Sequence, residues 1–251
     1  MKDTAKKILK QAIPESQHGN LRQAYERVKY FGRSRYCPVC QSYARKFKPF
    51  GVDPRPDAMC PFCGSLERHR LDWVFFHDHT DLFDRSTTLR MLHIAPGPFA
   101  EALREEESID YLSGDIDEEK AMEKVDVTGI QYPDGSFDVI YASHVLEHVP
   151  EDKKAMHELH RVLEPEGWAV LQVPITAEET FEDPSVTDPE ERERLFGQWN
   201  HVRRYGPDYK DRLEEAGFEV TKCPAPEVVG RENVERMGIT ENEDVYFCEK
   251  S

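Results

Sequence analysis

No run in this 251-residue chain approaches the roughly 20 consecutive apolar residues of a membrane helix, so no helical membrane span is expected. Met1 to Ile13 lacks the apolar core of a secretory signal, and a soluble, cytoplasmic chain in a reducing compartment is therefore expected. Cysteine is scarce past residue 63. Only Cys223 and Cys248 occur there, spaced too widely for a pair and read as buried free thiols. Basic residues are scarce past residue 70, where 18 Lys and Arg face 43 Asp and Glu. The first 70 residues reverse that balance, with 15 against 6. An acidic body argues against wrapping nucleic acid broadly, and it suits a salty cytoplasm in which carboxylates maintain solubility. The basic head suits steering of an anionic substrate or a local RNA contact.

What the head does contain is one short phrase twice. Cys37-Pro38-Val39-Cys40 and Cys60-Pro61-Phe62-Cys63 stand 19 residues apart. Two C-x2-C pairs at that separation supply four thiolates, the ligand set of a closed, structural tetrahedral Zn2+ site. A redox motif would not be duplicated at this spacing, and disulfides would need an oxidising compartment. Cys37, Cys40, Cys60 and Cys63 are the expected metal ligands. His69, His77 and His79, just beyond, read as ordinary polar or core histidines.

The length suits one larger domain and a smaller module. Residues 1–30 read as a helix or two and residues 36–65 as the ribbon, followed by an aromatic-rich helix over 66–83. From Leu89 short apolar runs alternate with helical patterns, which predicts a parallel α/β sheet. The expected strands are 89–94, 109–114, 137–142, 168–174, 218–223 and 245–249, with helices over 99–107, 151–163 and 208–216. No convincing helix separates the last two strands, so the final strand is expected to return antiparallel. Residues 176–207, long, acidic and proline-interrupted, read as a lid or substrate loop. The expected division is 1–84 for the helical and zinc-ribbon module and 85–251 for the α/β domain.

Ser136-Phe137-Asp138-Val139-Ile140-Tyr141-Ala142-Ser143-His144-Val145-Leu146-Glu147-His148-Val149, followed by Leu159-His160-Arg161-Val162-Leu163-Glu164-Pro165-Glu166-Gly167, resembles the class I S-adenosylmethionine-dependent methyltransferases of the small-molecule type. The likeness runs from about residue 89 to 220. It implies a Rossmann-like doubly wound sheet, mostly parallel with the last strand antiparallel. It also implies S-adenosylmethionine as methyl donor and S-adenosylhomocysteine as product. Asp115, with Ile116 beside it, matches the acidic residue that takes the ribose hydroxyls at the end of the second strand. Asp126-Val127 matches the pair that reads the adenine, and Ser143 and His144 are expected to line the same pocket. The first turn departs from the family's G-x-G-x-G: His93-Ile94-Ala95-Pro96-Gly97-Pro98-Phe99 keeps only Gly97. His93, Ala95 and Gly97 remain the expected contacts there, with prolines substituting rigidity for two amide donors.

Methyl transfer from a sulfonium is an in-line displacement, so positioning and exclusion of water are the protein's main tasks. A base is needed when the acceptor is a protonated hydroxyl or amine, and His144, His148 and His201 are the candidates. Arg203 is the candidate clamp for an anionic group on the acceptor. His144-Val145-Leu146-Glu147-His148 also fits the H-x-x-E-H pattern of a class of zinc peptidases, although its place inside the longer signature disfavours that chemistry. The expected activity is methylation of a small or medium-sized metabolite, such as a glycan or lipid precursor. An RNA methyltransferase gripping its substrate with the basic head, and a cofactor-binding protein without catalysis, are the alternatives.

Overall fold

The computed structural model describes residues 24–84 and 86–250, so most of the helical reading of residues 1–30 lies outside them; residues 24–29 are helical. Four short strands follow, paired as two antiparallel ribbons: β1 (Arg35–Cys37) with β2 (Ser42–Ala44), and β3 (Lys48–Phe50) with β4 (Arg55–Met59). The sulfurs sit between the ribbons. Gln41 and Gly64, each directly after the second cysteine of its pair, both adopt left-handed backbone, at φ 51° and 77°. That shared turn makes the two knuckles local copies of one another.

Helix α1 (Glu67–Asp78) then drives Leu71, Val74, Phe75 and Phe76 into one core with the sheet residues Met91, Tyr141, Val170 and Val245. Each such side chain contributes about 1.5–3 kcal/mol by leaving water. Arg70, 0% exposed, donates to the carbonyls of Ala58, Ser65, Met237 and Gly238 and lies 4.5 Å over the Phe47 ring. One side chain thus pins β4, the second knuckle and a helix near the C-terminus together.

The sheet comprises β5 (Leu89–Ile94), β6 (Ile109–Asp115), β7 (Glu123–Lys124), β8 (Phe137–Ser143), β9 (Leu163–Gln172), β12 (Glu219–Pro224) and β13 (Asp244–Glu249). Its order is β12-β13-β9-β8-β5-β6-β7. The central strands are parallel, and β13 runs antiparallel to both neighbours as the sequence implied. Central strands covered on both faces have no polar side, which is why 139–142 and 169–171 read as unbroken apolar runs.

Helix α2 (Ala100–Arg104) is shorter than expected, and α3 (Asp152–Val162) is the long amphipathic one, burying Ala155, Met156, Leu159 and Val162. The segment read as a loop over 176–207 carries its own structure: β10 (Phe181–Glu182) pairs with β11 (Arg203–Arg204) around α4 (Pro189–Phe196). Asp188 caps α4 by accepting from Glu191 N at 3.0 Å, Pro189 opens it, and Gly197 closes it in left-handed backbone. After α5 (Tyr209–Glu215), two short helices, α6 (Ala225–Val228) and α7 (Arg231–Met237), fill the connection between β12 and β13 where no helix was expected. Proline and Gly230 punctuate that stretch too finely for a helical period to show. Among the described residues no helix is long and apolar enough to cross a membrane.

Candidate active site

The strand order reverses between β5 and β8, and ligands in such sheets bind beyond the strand ends at that point. A cavity of about 580 Å³ lies there, lined among others by Ala95, Asp115, Ile116, Asp126, Val127 and His144. Six of the nine residues proposed for the cofactor from the sequence therefore converge on one chamber. Gly114 lets Val125 pack tightly on the end of β6, because a Cβ there would sit 2.5 Å from a Val125 methyl group. Ala95 takes a left-handed φ of 52°, the conformation that the family's glycine would supply without strain. Glu166, at φ 66°, does the same where the family has another glycine.

The other three are displaced. His93 is buried, its Nδ1 2.9 Å from Tyr111 Oη and its ring stacked on Phe99 and tilted against Tyr141. Burial pushes its imidazole down to about 3, so it is a neutral packing residue. Gly97 faces His69 instead of the cavity, and Ser143 is half-buried, its hydroxyl oxygen buried and unpartnered.

A second cavity, about 260 Å³, adjoins the first at His144, which lines both. Its walls include Val173, Pro174 and Thr176 beyond β9, Glu243 and Asp244 at the start of β13, and Arg55, Glu67 and Arg68 from the N-terminal region. Arg55 makes a two-pronged contact to Glu67, at 3.0 and 3.3 Å, and so fixes one wall. Arg68 Nε is buried without a hydrogen-bond partner. Burial lifts the Glu243 carboxyl above its ordinary range. No pattern in the chain marks this wall, because its residues meet only through the packing of α1 on the sheet.

His144 has a left-handed φ of 59°, with its amide fixed to Gln172 O at 2.9 Å. A bulky residue held there is strained, a condition that persists only where neighbours enforce it. Its Nδ1 lies 3.1 Å from Glu147 Oε1, while its Nε2 is buried and unpartnered. His148 lines the large cavity, and its ring stands 4.7 Å from that of His201. Arg203 does not reach either cavity, contrary to the clamp expected of it. Its guanidinium, in a side chain 2% exposed, is held by the carbonyls of Leu146, Val149 and Pro150 and the carboxylate of Glu182. It fastens the β10–β11 pair to the main fold. His77 and His79 likewise meet backbone carbonyls, of Trp73 and Val228.

Cys37 and Cys63 sulfurs lie 3.6 Å apart and those of Cys40 and Cys60 3.8 Å, and all four fall within 4.8 Å of one another. None forms a disulfide. A tetrahedron with metal–sulfur bonds of about 2.3 Å has edges of about 3.8 Å, so the spacing fits that geometry. Ser65 Oγ stands 3.2 Å from both Cys37 and Cys63 sulfurs.

Residues 94–222 match the methyltransferase-domain family. The 27-O-demethylrifamycin SV methyltransferase of Amycolatopsis mediterranei is 38% identical over 109 residues, 42% of this chain and 38% of that protein. The chain therefore spans well under half the length of that curated relative. Among solved structures, an S-adenosylmethionine-dependent methyltransferase from Mesorhizobium loti superposes with a TM-score of 0.50 at 16% identity, covering 72% of this chain and 98% of that one. One from Archaeoglobus fulgidus gives 0.45 at 18% identity, covering 70% and 91%. With its sheet order, its reversed last strand and a family match over half its length, the chain belongs to the methyltransferase-domain family.

Proposed function

We propose that the chain is an S-adenosylmethionine-dependent methyltransferase that modifies a small polar acceptor. The observation that carries this reading is the pair of adjoining cavities at the switch point, divided by His144. In the larger one Asp115, at the end of β6, would accept both ribose hydroxyls, and Asp126-Val127 would meet the adenine. The donor set fits the group: carboxylates for the hydroxyls, apolar Ile94, Ile116 and Val127 for the base, and a glycine-like bend at Ala95 for the amino-acid part. When bound, S-adenosylmethionine supplies the sulfonium methyl group.

The chain's own residues bind, orient and exclude water. His144, at the junction, has a buried Nε2 with no protein partner, which suits it to take a proton from an acceptor hydroxyl or amine. Arg68 and Glu243 offer the smaller cavity one cation and one carboxyl with a raised pKa, a pairing for a polar acceptor that carries an anionic group. A chamber of about 260 Å³ accommodates a compact metabolite or the reactive end of a longer glycan or lipid precursor. The four cysteines would hold a structural Zn2+ that stiffens the region bearing Arg55 and Arg68. RNA held by the basic head, and binding without turnover, are the rival outcomes.

The test is calorimetric titration of the zinc-loaded protein with S-adenosylmethionine and S-adenosylhomocysteine. One site of micromolar affinity is expected, weakened about 100-fold in Asp115→Ala, as two charge-assisted hydrogen bonds predict. Absence of binding to the unaltered protein would overturn the reading.

A further inference from the structure

Glu147, His148 and His201 form a second cluster outside the cysteine site: one carboxylate oxygen and one nitrogen from each ring lie within 4.8 Å of one another. Three features of this cluster stand out. The carboxylate of Glu147, in a residue 1% exposed, has only His144 Nδ1 beside it, 3.1 Å from Oε1, and its Oε2 has no hydrogen-bond partner among the described residues. Arg203, which holds the carbonyl of the adjacent Leu146, spends its donors on Leu146 O, Val149 O, Pro150 O and Glu182. A buried carboxylate left in that state is costly unless something positive meets it.

The second feature is the tautomer. His148 Nδ1 lies 3.2 Å from Asn200 O, and His201 Nδ1 lies 3.2 Å from Phe196 O. A carbonyl only accepts, so each Nδ1 carries the proton and each Nε2 keeps a bare lone pair. Locking a histidine by a carbonyl behind it is the usual arrangement of a metal-bound imidazole. The third is position: His148 and its neighbour Asn200 line the large cavity, so the cluster borders the chamber in which methyl transfer would occur.

We propose that Glu147, His148 and His201 bind one divalent transition-metal ion. Two imidazoles and a single carboxylate favour the manganese-to-zinc series over Mg2+ or Ca2+, which prefer all-oxygen cages. Three protein ligands leave coordination positions open, unlike the closed four-sulfur site. On the cavity side those positions would hold an oxygen of the acceptor and favour its deprotonated form; that role rests on the methyltransferase reading, whereas the ion site does not. The H-x-x-E-H stretch thus has a metal-binding use without peptidase chemistry, with His201 as the third ligand and His144 Nδ1 3.1 Å from Glu147 Oε1 as a neighbour that orients it.

The probe is Co2+ alone, added to the full chain whose cysteine site is already filled with Zn2+, which binds more tightly than cobalt and stays in place. One additional equivalent is expected, with weak visible bands of nitrogen and oxygen ligation and no thiolate charge transfer. His148→Gln and His201→Gln should each weaken it at least tenfold, and Glu147→Gln should do so with the fold preserved. If Glu147→Gln fails to fold, His201→Gln, on a half-buried loop, decides alone. No cobalt beyond the cysteine site, or cobalt binding untouched by the two histidine changes, would overturn the proposal. S-adenosylmethionine titration of the same samples is a separate readout, so loss of one reading does not carry the other with it.

Discussion

The two halves of the crevice are built by opposite means. The larger chamber draws its walls from consecutive strand ends of one sheet, so chain order almost dictates it. The smaller chamber combines residues 55–68, 173–176 and 240–246, which meet only because α1 is buried against the sheet. The first half is a property of the fold, and the second is a property of this chain. Specificity for the acceptor should therefore reside where the N-terminal region contributes, and changes there should spare the cofactor.

The strongest way to break that comparison is to dismantle the cysteine cluster. Cys60→Ser, or chelation, is expected to abolish acceptor methylation while S-adenosylmethionine affinity changes by no more than about threefold; calorimetry beside a turnover assay reads both. Equal loss on both sides would show that the chambers are not separable. Next in size is Arg70→Met, which leaves four carbonyls without their donor and should cost about 3–5 kcal/mol in denaturant unfolding.

Asp72 sharpens the contrast through pH. Its carboxyl, buried behind the junction, accepts from Tyr141 Oη and Gln172 Nε2, both at 2.6 Å, and burial pushes it up to about 8. The folded state keeps this proton where the unfolded chain has released it. Its contribution is thus fully present below about pH 4 and is lost as pH rises through about 8, with a limiting slope of about 1.4 kcal/mol per pH unit. Asp72→Asn should flatten that segment of the stability profile, and an unchanged slope would rule out Asp72 as its source.

Arg68→Ala is expected to lower acceptor kcat/KM about tenfold with cofactor affinity unaltered. The smallest effect concerns the first turn: Ala95→Gly should stabilise the protein by about 1 kcal/mol by removing left-handed strain, read as a rise in melting temperature.

Much of the sheet was legible in the sequence because strands buried on both faces leave continuous apolar runs. β5 matches its expected bounds, and β6, β8 and β13 fall within one residue of theirs. β9 begins five residues early, at Leu163, because Leu163 pairs with Phe137 across a register shift that no period in the sequence announces. His93 and Arg203 show the opposite limit. Residue type marked both as chemically able, but burial decides what each does, and burial of a cation or an imidazole depends on partners far along the chain. The 260 Å³ chamber was invisible for the same reason.

Arg70 carries a further implication. The side chain that closes the second knuckle also holds Gly238, directly after α7 and two residues before the wall residue Thr240, and Arg68 is its near neighbour on α1. A ligand seated in the smaller chamber and an ion among the sulfurs thereby press on one shared strut. Thermodynamic reciprocity then requires that whatever tightens one tightens the other by the same factor, so acceptor should raise the affinity for zinc by the factor with which zinc raises the affinity for acceptor.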